Sequence, residues 1–496
     1  MFNFSDLTSI LNHIIKKGAE SRLTDSQFIV KEISNFKNSQ KRADMLTGER
    51  YFKGKHDILF RERTVIGADG ELEKVDNLPN NRIVDNKYKT MVIQKNNYLL
   101  GQPFSIHCDN KAYVKLLNSM FFNKKFHRLL NEIGKDFLNN GIAWLFVYYD
   151  ENGNLAFKRI KPYELIPLWS DAEHTALDGA VHLYNVVSYE GKNTEKIIER
   201  VDVFDETGIS YFELNGSTLT PVEPYHSDYF TVSNKEIEQG YNWFKIPLVP
   251  FKYNSEEIPL IKMVKSLQDG INSIESNFQN CMEEDVRNTI LVLVNYDGQN
   301  LGEFRKNLAS YGAVKVKTVD GAQGDLKTLQ IEVNAENYKV ILAEFKKALI
   351  ENAMGYDAKD DRLSGNPNEM NIQSMYSDID LDANGIETQL QASFEELLWF
   401  INMHLYNMGY GDFENEQVEF IFNRDMLINE SSVIDNCAKS VGMISDETIV
   451  ANHPWIDDPV LELERLEQQK QKNMEQYGLA FAENKNFENE DNDGDE

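Results

Sequence analysis

The chain has 496 residues, of which 41% are hydrophobic and 11% aromatic, so it can form folded cores and is too long for only one of them. Lys and Arg number 51 against 80 Asp and Glu, and the net charge of −29 argues against a groove that grips nucleic acid, although not against a passage through which DNA slides. The three cysteines, Cys108, Cys281 and Cys437, lie far apart, which favours a reducing compartment over a disulfide framework or a zinc ribbon.

The first residues lack the basic and then apolar layout of a signal peptide. No apolar run approaches the roughly 18 residues that a membrane-spanning helix needs. We therefore expect an intracellular protein that is not inserted in a membrane.

Helical patterns dominate the first 140 residues. We expect helices over residues 22–46, 111–121 and 124–140. Another helix should begin after Asn81 and end at Gly101, because a glycine followed by Pro103 is a typical helix stop.

Strand patterns replace helical ones from residue 142. Residues 142–149 and 155–160 flank Asn152-Gly153, which is a hairpin signal. Further strands are expected at 180–189, 196–204 and 209–214. Because the strands are clustered and do not alternate with helices, the predicted fold class is α+β, with an antiparallel sheet and helices before and after it.

A long helix is predicted from Pro259 to about Asp285. It carries an apolar stripe at Leu260, Val264, Leu267, Ile271, Ile274, Phe278 and Cys281. A small insert follows, with strands at 289–294, 313–319 and 326–333 and a short helix at 301–310. A second long helix then runs through Tyr338 and Phe345 and stops at Gly355.

A third long helix is predicted at 372–408, after a polar loop at 355–371. Helix connections usually take about 2–8 residues, so a loop of about 17 residues with charges of both signs suggests a function, although an ordinary exposed linker is the simpler interpretation. Near the C-terminus, Ser445 should cap a short helix, and the acidic stretch from Glu488 is expected to be disordered.

The sequence has no recognisable catalytic motif. A phosphate-binding GxxxxGK[ST] loop, HExxH, GxSxG and an EF-hand loop are all absent. The nine histidines are scattered, and the adjacent pairs Asp360-Asp361 and Asp457-Asp458 point in different directions. We therefore expect no catalytic residue, no metal site and no cofactor.

Several segments, in order along the chain, resemble those of one known family. They are Tyr51-Phe-Lys-Gly-Lys-His56, Asn81-Arg-Ile-Val84, Tyr98-Leu-Leu-Gly-Gln-Pro103, Ser364-Gly-Asn-Pro-Asn-Glu-Met-Asn-Ile372, Gly442-Met-Ile-Ser-Asp-Glu-Thr448, Pro454-Trp-Ile-Asp-Asp-Pro459 and Glu462-Leu-Glu-Arg-Leu466. With the order helix, insert, helix, loop, helix, they resemble the phage portal proteins of siphophages of Gram-positive hosts, the SPP1-like portal family.

The resemblance implies a portal fold in a ring of about twelve copies at one capsid vertex, through which the genome is packaged and ejected. It implies a wing at 1–255, β-rich over 142–250. The remaining segments would be stem helices at 256–285 and 336–354, a clip at 286–335, a tunnel loop at 355–371, a long wing helix at 372–409, a helical crown at 410–482 and an acidic tail at 483–496.

The resemblance also implies where DNA and partner proteins would meet the chain. Candidate DNA-facing residues of the tunnel loop are Asp357, Lys359, Asp360, Asp361, Arg362, Asn366 and Asn368, and those of the clip are Lys315 and Lys317. Expected partners are copies of the same chain, the terminase large subunit, a head-completion adaptor, the major capsid and scaffolding proteins, and double-stranded DNA. The expected location is the virion, with the host cytoplasm during assembly.

Two alternatives stay open from the residues alone. One is another minor capsid or connector component, and the other is a DNA-processing enzyme with an acidic metal site at Asp360 and Asp361.

Overall fold

The structure is a computed structural model of the full chain. It describes residues 26–66, 70–76, 78–190, 194–234, 237–285, 290–294, 325–329, 335–357, 369–424, 430–456, 462–463 and 465–472. The chain divides into two compact units. Unit 1 comprises residues 1–356 and 378–425, and unit 2 comprises residues 357–377 and 426–496.

The described helices follow the apolar periodicity of the sequence. In chain order they are α1 (Ser26–Lys37), α2 (Gln40–Phe52), α3 (Lys87–Leu100), α4 (Lys111–Leu116), α5 (Lys124–Asn140), α6 (Ile261–Asp285), α7 (Ala335–Asn352), α8 (Glu369–Asn407), α9 (Glu430–Ser440) and α10 (Asp446–Ala451). The three long helices expected after Pro259 are confirmed as α6, α7 and α8.

The described strands are mostly in the middle of the chain. They are β1 (Thr64–Ile66), β2 (Leu72–Lys74), β3 (Ser105–His107), β4 (Ile142–Tyr149), β5 (Leu155–Ile160), β6 (Leu165–Trp169), β7 (Leu177–Glu190), β8 (Thr194–Asp205), β9 (Gly208–Asn215), β10 (Thr218–Ser227), β11 (Phe230–Asn234), β12 (Ile237–Tyr241), β13 (Leu248–Lys252), β14 (Ile290–Val294), β15 (Asp325–Leu329) and β16 (Glu419–Ile421). The fold is therefore α+β, as predicted.

The largest sheet has the strand order β10-β9-β8-β7-β6, and a smaller one has the order β13-β4-β5. All pairs are antiparallel, and the predicted hairpin joins β4 to β5 with Trp144 opposite Ile160. Alternate residues of a strand face opposite sides of the sheet, so each sheet offers an apolar face to a helix or to its neighbour. Strands β6, β10 and β13 were not predicted, because Pro167, Pro221, Pro224 and Pro250 interrupt their patterns. The short strands β1, β2, β3, β11, β12 and β16 were not predicted either.

Two apolar clusters hold unit 1 together around these sheets. Ile29 and Ile33 of α1 pack on Val181 and Val203 of the large sheet. Trp144 of the small sheet lies in a second cluster, with Leu248, Ala180 and Phe204 among its members. Helix α8 joins the core through Phe394, which contacts Phe104 and Phe420 at ring distances of 5.2 and 4.3 Å.

The connection from α5 to β4 needs a glycine. Gly141 has a φ of 83°, in the left-handed region that other residues avoid. A Cβ atom at this position would lie 2.1 Å from the carbonyl oxygen of Glu257. The segment before α6 therefore fits directly against the end of α5.

The helix predicted at 111–121 is α-helical over Lys111–Leu116 and continues as a π-helix over Leu117–Phe121. Two other predicted helices have different bounds in the structure. The pattern at 22–46 is interrupted, because Ser39 accepts a hydrogen bond from the backbone amide of Arg42 and caps α2. The helix expected after Asn81 begins only at Lys87, with Asn86 as its cap. The apolar residues Ile83 and Val84 had made the preceding segment look helical.

Unit 2 contains the start of α8, the helices α9 and α10, and helical residues at 462–463 and 465–472. Ser445 caps α10 as predicted, by accepting from the backbone amide of Thr448. The predicted helix at 301–310, the strand at 313–319 and the acidic tail lie outside the described residues.

Candidate functional site: a helix pair and the base of the loop that follows it

Helices α6 and α7 form a closely packed antiparallel pair. A Cβ atom on Gly270 would lie 2.6 Å from the ring of Phe345, so the absence of a side chain lets the helices approach. Further along α6, the rings of Phe278 and Tyr338 are 5.2 Å apart. The step from Gly270 to Phe278 on α6 thus corresponds to the step from Phe345 back to Tyr338 on α7, so the two helices run in opposite directions. The pair therefore returns the chain from the insert to the loop at 355–371.

A row of buried polar side chains runs along another face of α6. Its members, spaced four residues apart, are Gln268, Asn272, Ser276 and Asn280, and we call them the polar ladder. Asn280, Ser276, Asn272 and Gln268 accept hydrogen bonds from the backbone amides of Asn81, Ile83, Asp85 and Tyr88, at 2.7, 2.9, 3.1 and 2.9 Å. The ladder thus satisfies backbone donors that have no strand or helix partner.

The spacing of the ladder has a simple geometric reason. Four residues of an α-helix advance about 6.0 Å, and two residues of an extended chain advance about 6.6 Å. An extended segment can therefore place every second amide opposite every fourth residue of a helix. The amides of Asn81, Ile83 and Asp85 follow this spacing antiparallel to α6, and the fourth amide, that of Tyr88, lies in the first turn of α3. Gln268 also donates to the carbonyl of Asp85 at 2.7 Å.

Ion pairs flank the polar ladder on both sides. Lys346 of α7 lies 2.9 Å from Asp85 and 3.0 Å from Glu275, so it links α7 to α6 and to the extended segment. Lys265 lies 2.6 Å from Asp57. Burial alone would raise the pKa of Asp57, but hydrogen bonds from Lys265 and Arg50 outweigh it and lower the pKa to about 2. Asp57 is therefore ionised at neutral pH.

A buried lysine holds the end of α7. Lys95 of α3 is 2% exposed, and its ammonium lies 2.7 Å from a carboxylate oxygen of Asp382 on α8. The same ammonium donates to the carbonyl of Met354 at 3.2 Å. Burial lowers the pKa of Lys95, and the charge of Asp382 opposes that change. One side chain therefore joins α3, α8 and the point where α7 ends.

The next two residues are held by Gln94. Its side-chain amide donates to the carbonyl of Tyr356 at 2.8 Å, and its carbonyl accepts from the backbone amide of Tyr356 at 3.1 Å. A Cβ atom on Gly355 would lie 2.8 Å from the sulfur of Met91 and 2.9 Å from the side-chain oxygen of Gln94. The first residues of the long loop are thus fixed against α3 up to Tyr356. We call residues 354–356 the loop base.

Helix α7 is much more open than α6. Of its described side chains only Leu349 is buried. Val340 and Ile341 are 53% and 47% exposed, which is unusual for adjacent aliphatic residues of a long helix. Its ion pairs Lys347–Glu351 and Lys339–Glu336 are also at the surface. Among the residues that the structure describes, α7 is supported on one side only.

The structure describes only one of the predicted DNA-facing residues. Asp357 directly follows the loop base. The other candidates lie outside the described residues: Lys359, Asp360, Asp361, Arg362, Asn366, Asn368, Lys315 and Lys317. Their proposed role stays a prediction.

Neither a metal site nor a membrane helix is found in the described ranges. No group of three or more His, Cys, Asp or Glu side chains there is arranged to hold a metal ion. No helix there is long and apolar enough to cross a membrane.

Sequence reasoning missed the ladder and the loop base. The ladder has a visible signal, since four amide or hydroxyl residues recur every four positions beside the apolar stripe of α6. The role of Lys95 has no local signal, because its partners Asp382 and Met354 are more than 250 residues away.

Comparison with known proteins identifies the family. A family model described as phage portal protein, SPP1 Gp6-like, matches residues 33–476. The portal protein of Bacillus phage SPP1 is 28% identical over 480 residues, covering 95% of this chain and 92% of that protein. The portal protein of Clostridium phage phiCD119 is 26% identical over 440 residues, covering 86% of this chain and 93% of that protein.

Solved structures give more distant matches. The neck of a native gene transfer agent particle matches at 10% identity and a TM-score of 0.38, covering 74% of this chain and 89% of that chain. The neck of an empty gene transfer agent particle has a TM-score of 0.39 at 10% identity, covering 83% and 92%. Neither likeness is close enough to carry an argument. The family match over residues 33–476 is decisive, and the chain belongs to the phage portal proteins of the SPP1 Gp6-like family.

Proposed function

We propose that copies of this chain close into a ring of about a dozen at one vertex of a phage capsid, and that DNA enters and leaves through the ring's axis. The observation that carries the proposal is the family match over residues 33–476. It is supported by two portal proteins that match this chain over 92% and 93% of their own lengths. The open face of α7 supports it too, because a helix with one buried residue needs neighbours or a lumen to face.

In this assignment, residues 1–255 form the wing, and α6 and α7 are the stem helices within 256–285 and 336–354. The insert 286–335 is the clip, residues 355–371 are the tunnel loop, 372–409 the long wing helix, and 410–482 the crown. The antiparallel pairing of α6 and α7 supports the stem, because it places the insert at one end of the pair and the loop at the other.

Charge and geometry both favour a channel in which DNA moves freely. A net charge of −29 per copy repels phosphates, so DNA is not held by the walls. Lys359 and Arg362 would make brief phosphate contacts, and Asp357, Asp360 and Asp361 would limit their strength. The loop base, held by Gln94 and Lys95, would confine loop movement to residues after Tyr356.

The partners follow from this role. The clip, with Lys315 and Lys317, would meet the terminase large subunit during packaging and the head-completion adaptor afterwards. The ring would assemble in the host cytoplasm with scaffolding and major capsid proteins and remain in the virion. The chain itself would catalyse no reaction, since the motor is a separate protein.

The ring is tested by electron microscopy of the purified full chain. End-on views should show a closed ring with a central hole. A monomer or dimer at every concentration and salt condition would refute the proposal.

The loop is tested separately by deleting residues 357–366, which leaves the loop base and its contacts to Gln94 and Lys95 in place. We expect rings to form normally while DNA packaging into capsids fails or DNA is not retained. The double substitution Lys359→Ala and Arg362→Ala is a milder form of the same test. Normal packaging by the deletion would rule out the role of the loop.

A further inference from the structure

One groove in unit 1 combines carboxylates with apolar side chains. It has a volume of about 710 Å³ and lies between α8 and the segment 412–418. Glu395, Asp412 and Glu414 are its exposed carboxylates, and Trp399 and Tyr406 are its aromatic side chains. Tyr406 is 62% exposed, which is high for an aromatic residue on a long helix. We call this the acidic groove. Apolar area with a charged rim is typical of a protein-binding surface.

A second hollow in unit 1 has the opposite charge. It has a volume of about 840 Å³ and is lined by the start of α5 and by β4 and β5. Its charged lining residues are the cations Lys125, Arg128 and Arg159 and one carboxylate, Glu132, which pairs with Arg159 at 3.5 Å. Exposed Met120 adds apolar area. We call this the basic hollow. Lys125 and the neighbouring Lys124 form no ion pair within the described residues, although the chain has a large excess of carboxylates.

The two surfaces lie on opposite sides of α8. The side chain of His404 is directed towards the elements that line the basic hollow. Its ring lies 5.9 Å from that of Phe121, a lining residue, and it bonds at 3.0 Å to the hydroxyl of Tyr149, the residue of β4 next to the lining residue Tyr148. A helix turns about 100° per residue, so Tyr406 and Trp399 point about 160° and 140° away from His404. These two residues line the acidic groove. A surface on one side and its complement on the other are what a head-to-tail contact requires.

We propose that the acidic groove of one copy receives the first turn of α5 and the rim of the basic hollow of the next copy. Lys124 and Lys125 meet Glu395 and Glu414, and Met120 covers Tyr406. Such a contact is heterologous, and repeated around an axis it closes into a ring. Complementary charge at the rim selects this pairing over like faces meeting. This inference rests on the proposed ring and names the surfaces that form it.

The test reverses the charge of each surface in the full chain. Variant A carries Lys124→Glu and Lys125→Glu. Acidic residues are favourable in the first turn of a helix, so α5 should still fold. Variant B carries Glu395→Lys and Glu414→Lys, both at exposed positions. The control carries Lys31→Glu and Lys55→Glu, which are exposed, lie outside both surfaces and change the charge equally.

Native mass spectrometry measures the fraction of chain in rings. At about 0.15 M salt we expect variants A and B each to lose about tenfold or more of the wild-type ring fraction, and the control to match wild type. The chain with all four substitutions should form rings again. An equal mixture of A and B should form mixed rings with an even number of copies, because each variant pairs only with the other.

Several results would overturn the inference. Normal rings from variant A or B would do so, as would failure of the four-fold variant to recover. If variant A forms rings but loses binding to duplex DNA in a fluorescence anisotropy assay, the partner of the basic hollow is nucleic acid. If wild type itself forms no ring, the proposed function fails, which is distinct from all of these outcomes.

Discussion

Helices α6 and α7 lie side by side and yet differ in what supports them. Helix α6 buries Val264 and Ile271, and the side chains of its polar ladder accept hydrogen bonds from backbone amides of the segment 81–86. Helix α7 buries only Leu349 and keeps Val340 and Ile341 exposed. Within the described residues, α6 is therefore anchored through an apolar and a polar face, whereas one face of α7 stays open. Substitutions on the anchored side should therefore destabilise the single chain, and those on the open side should not.

The largest effect is expected at the loop base, where α7 depends on one buried ion pair. Lys95→Met removes a buried cation and leaves the largely buried carboxylate of Asp382 with the hydroxyl of Tyr253, at 2.9 Å, as its donor among the described residues. Breaking a buried pair in this way costs about 3–5 kcal/mol of unfolding free energy. Urea denaturation measures this loss of unfolding free energy. Adding Asp382→Asn should restore part of the loss, and an unchanged Lys95→Met midpoint would show that the pair does not hold α7.

The entry to α6 should be sensitive to acid. Glu257 lies before α6 and contacts Lys41, His174 and Lys252. Burial alone would raise its pKa, but hydrogen bonds from His174 and Lys41 lower it from 4.5 to about 2. Because the folded pKa lies below the unfolded one, the stabilisation of about 3 kcal/mol is complete above pH 4.5 and is lost as the pH falls towards 2.

The measurement for this site is the thermal midpoint against pH. Glu257→Gln should give a flatter decline between pH 4.5 and 2 than wild type, together with lower stability at pH 7. Parallel acid limbs for the two proteins would contradict the role assigned to Glu257.

A smaller effect is expected within the polar ladder, and α6 offers a matched control. Ser276→Ala leaves the partly buried amide of Ile83 without its acceptor, which costs about 1 kcal/mol or somewhat more. Ser273→Ala is the same change three residues earlier on the same helix, at a half-buried position outside the ladder. Urea midpoints should fall for Ser276→Ala and stay level or rise for Ser273→Ala. Equal midpoints would mean that the ladder contributes no stability.

The smallest effect is expected on α7. Lys347 and Glu351 are 3.9 Å apart and mostly exposed, and a surface pair of this kind contributes about 0.5 kcal/mol or less. Lys347→Ala should therefore leave the unfolding midpoint of the single chain unchanged. A clear loss of stability would show that α7 is supported within one copy after all, which removes the contrast with α6.

The sequence predicted what local patterns determine. The stripe through Val264 and Ile271 predicted α6, and Asn152-Gly153 predicted the β4–β5 hairpin. It failed where a distant partner decides the conformation. Residues 81–86 look helical through Ile83 and Val84 but are extended, because α6 supplies hydrogen-bond acceptors about 190 residues later in the chain.

The candidate site was predicted less completely than the fold. The position of the long loop followed from its length and composition, whereas its fixed base depends on Lys95 and Gln94, which no local pattern connects to Met354 and Tyr356. Charged residues of the loop and insert were chosen for their type alone. Which of them face DNA depends on neighbouring copies of the chain, and a single sequence carries no pattern for that arrangement.

The most direct test of the proposed ring is an end-on electron microscopy reconstruction of the purified full chain. We expect a closed ring of about a dozen copies, with the open face of α7 against a neighbour or the central channel. A chain that stays monomeric or dimeric in all conditions would contradict it, and so would a ring in which α7 faces the outer solvent.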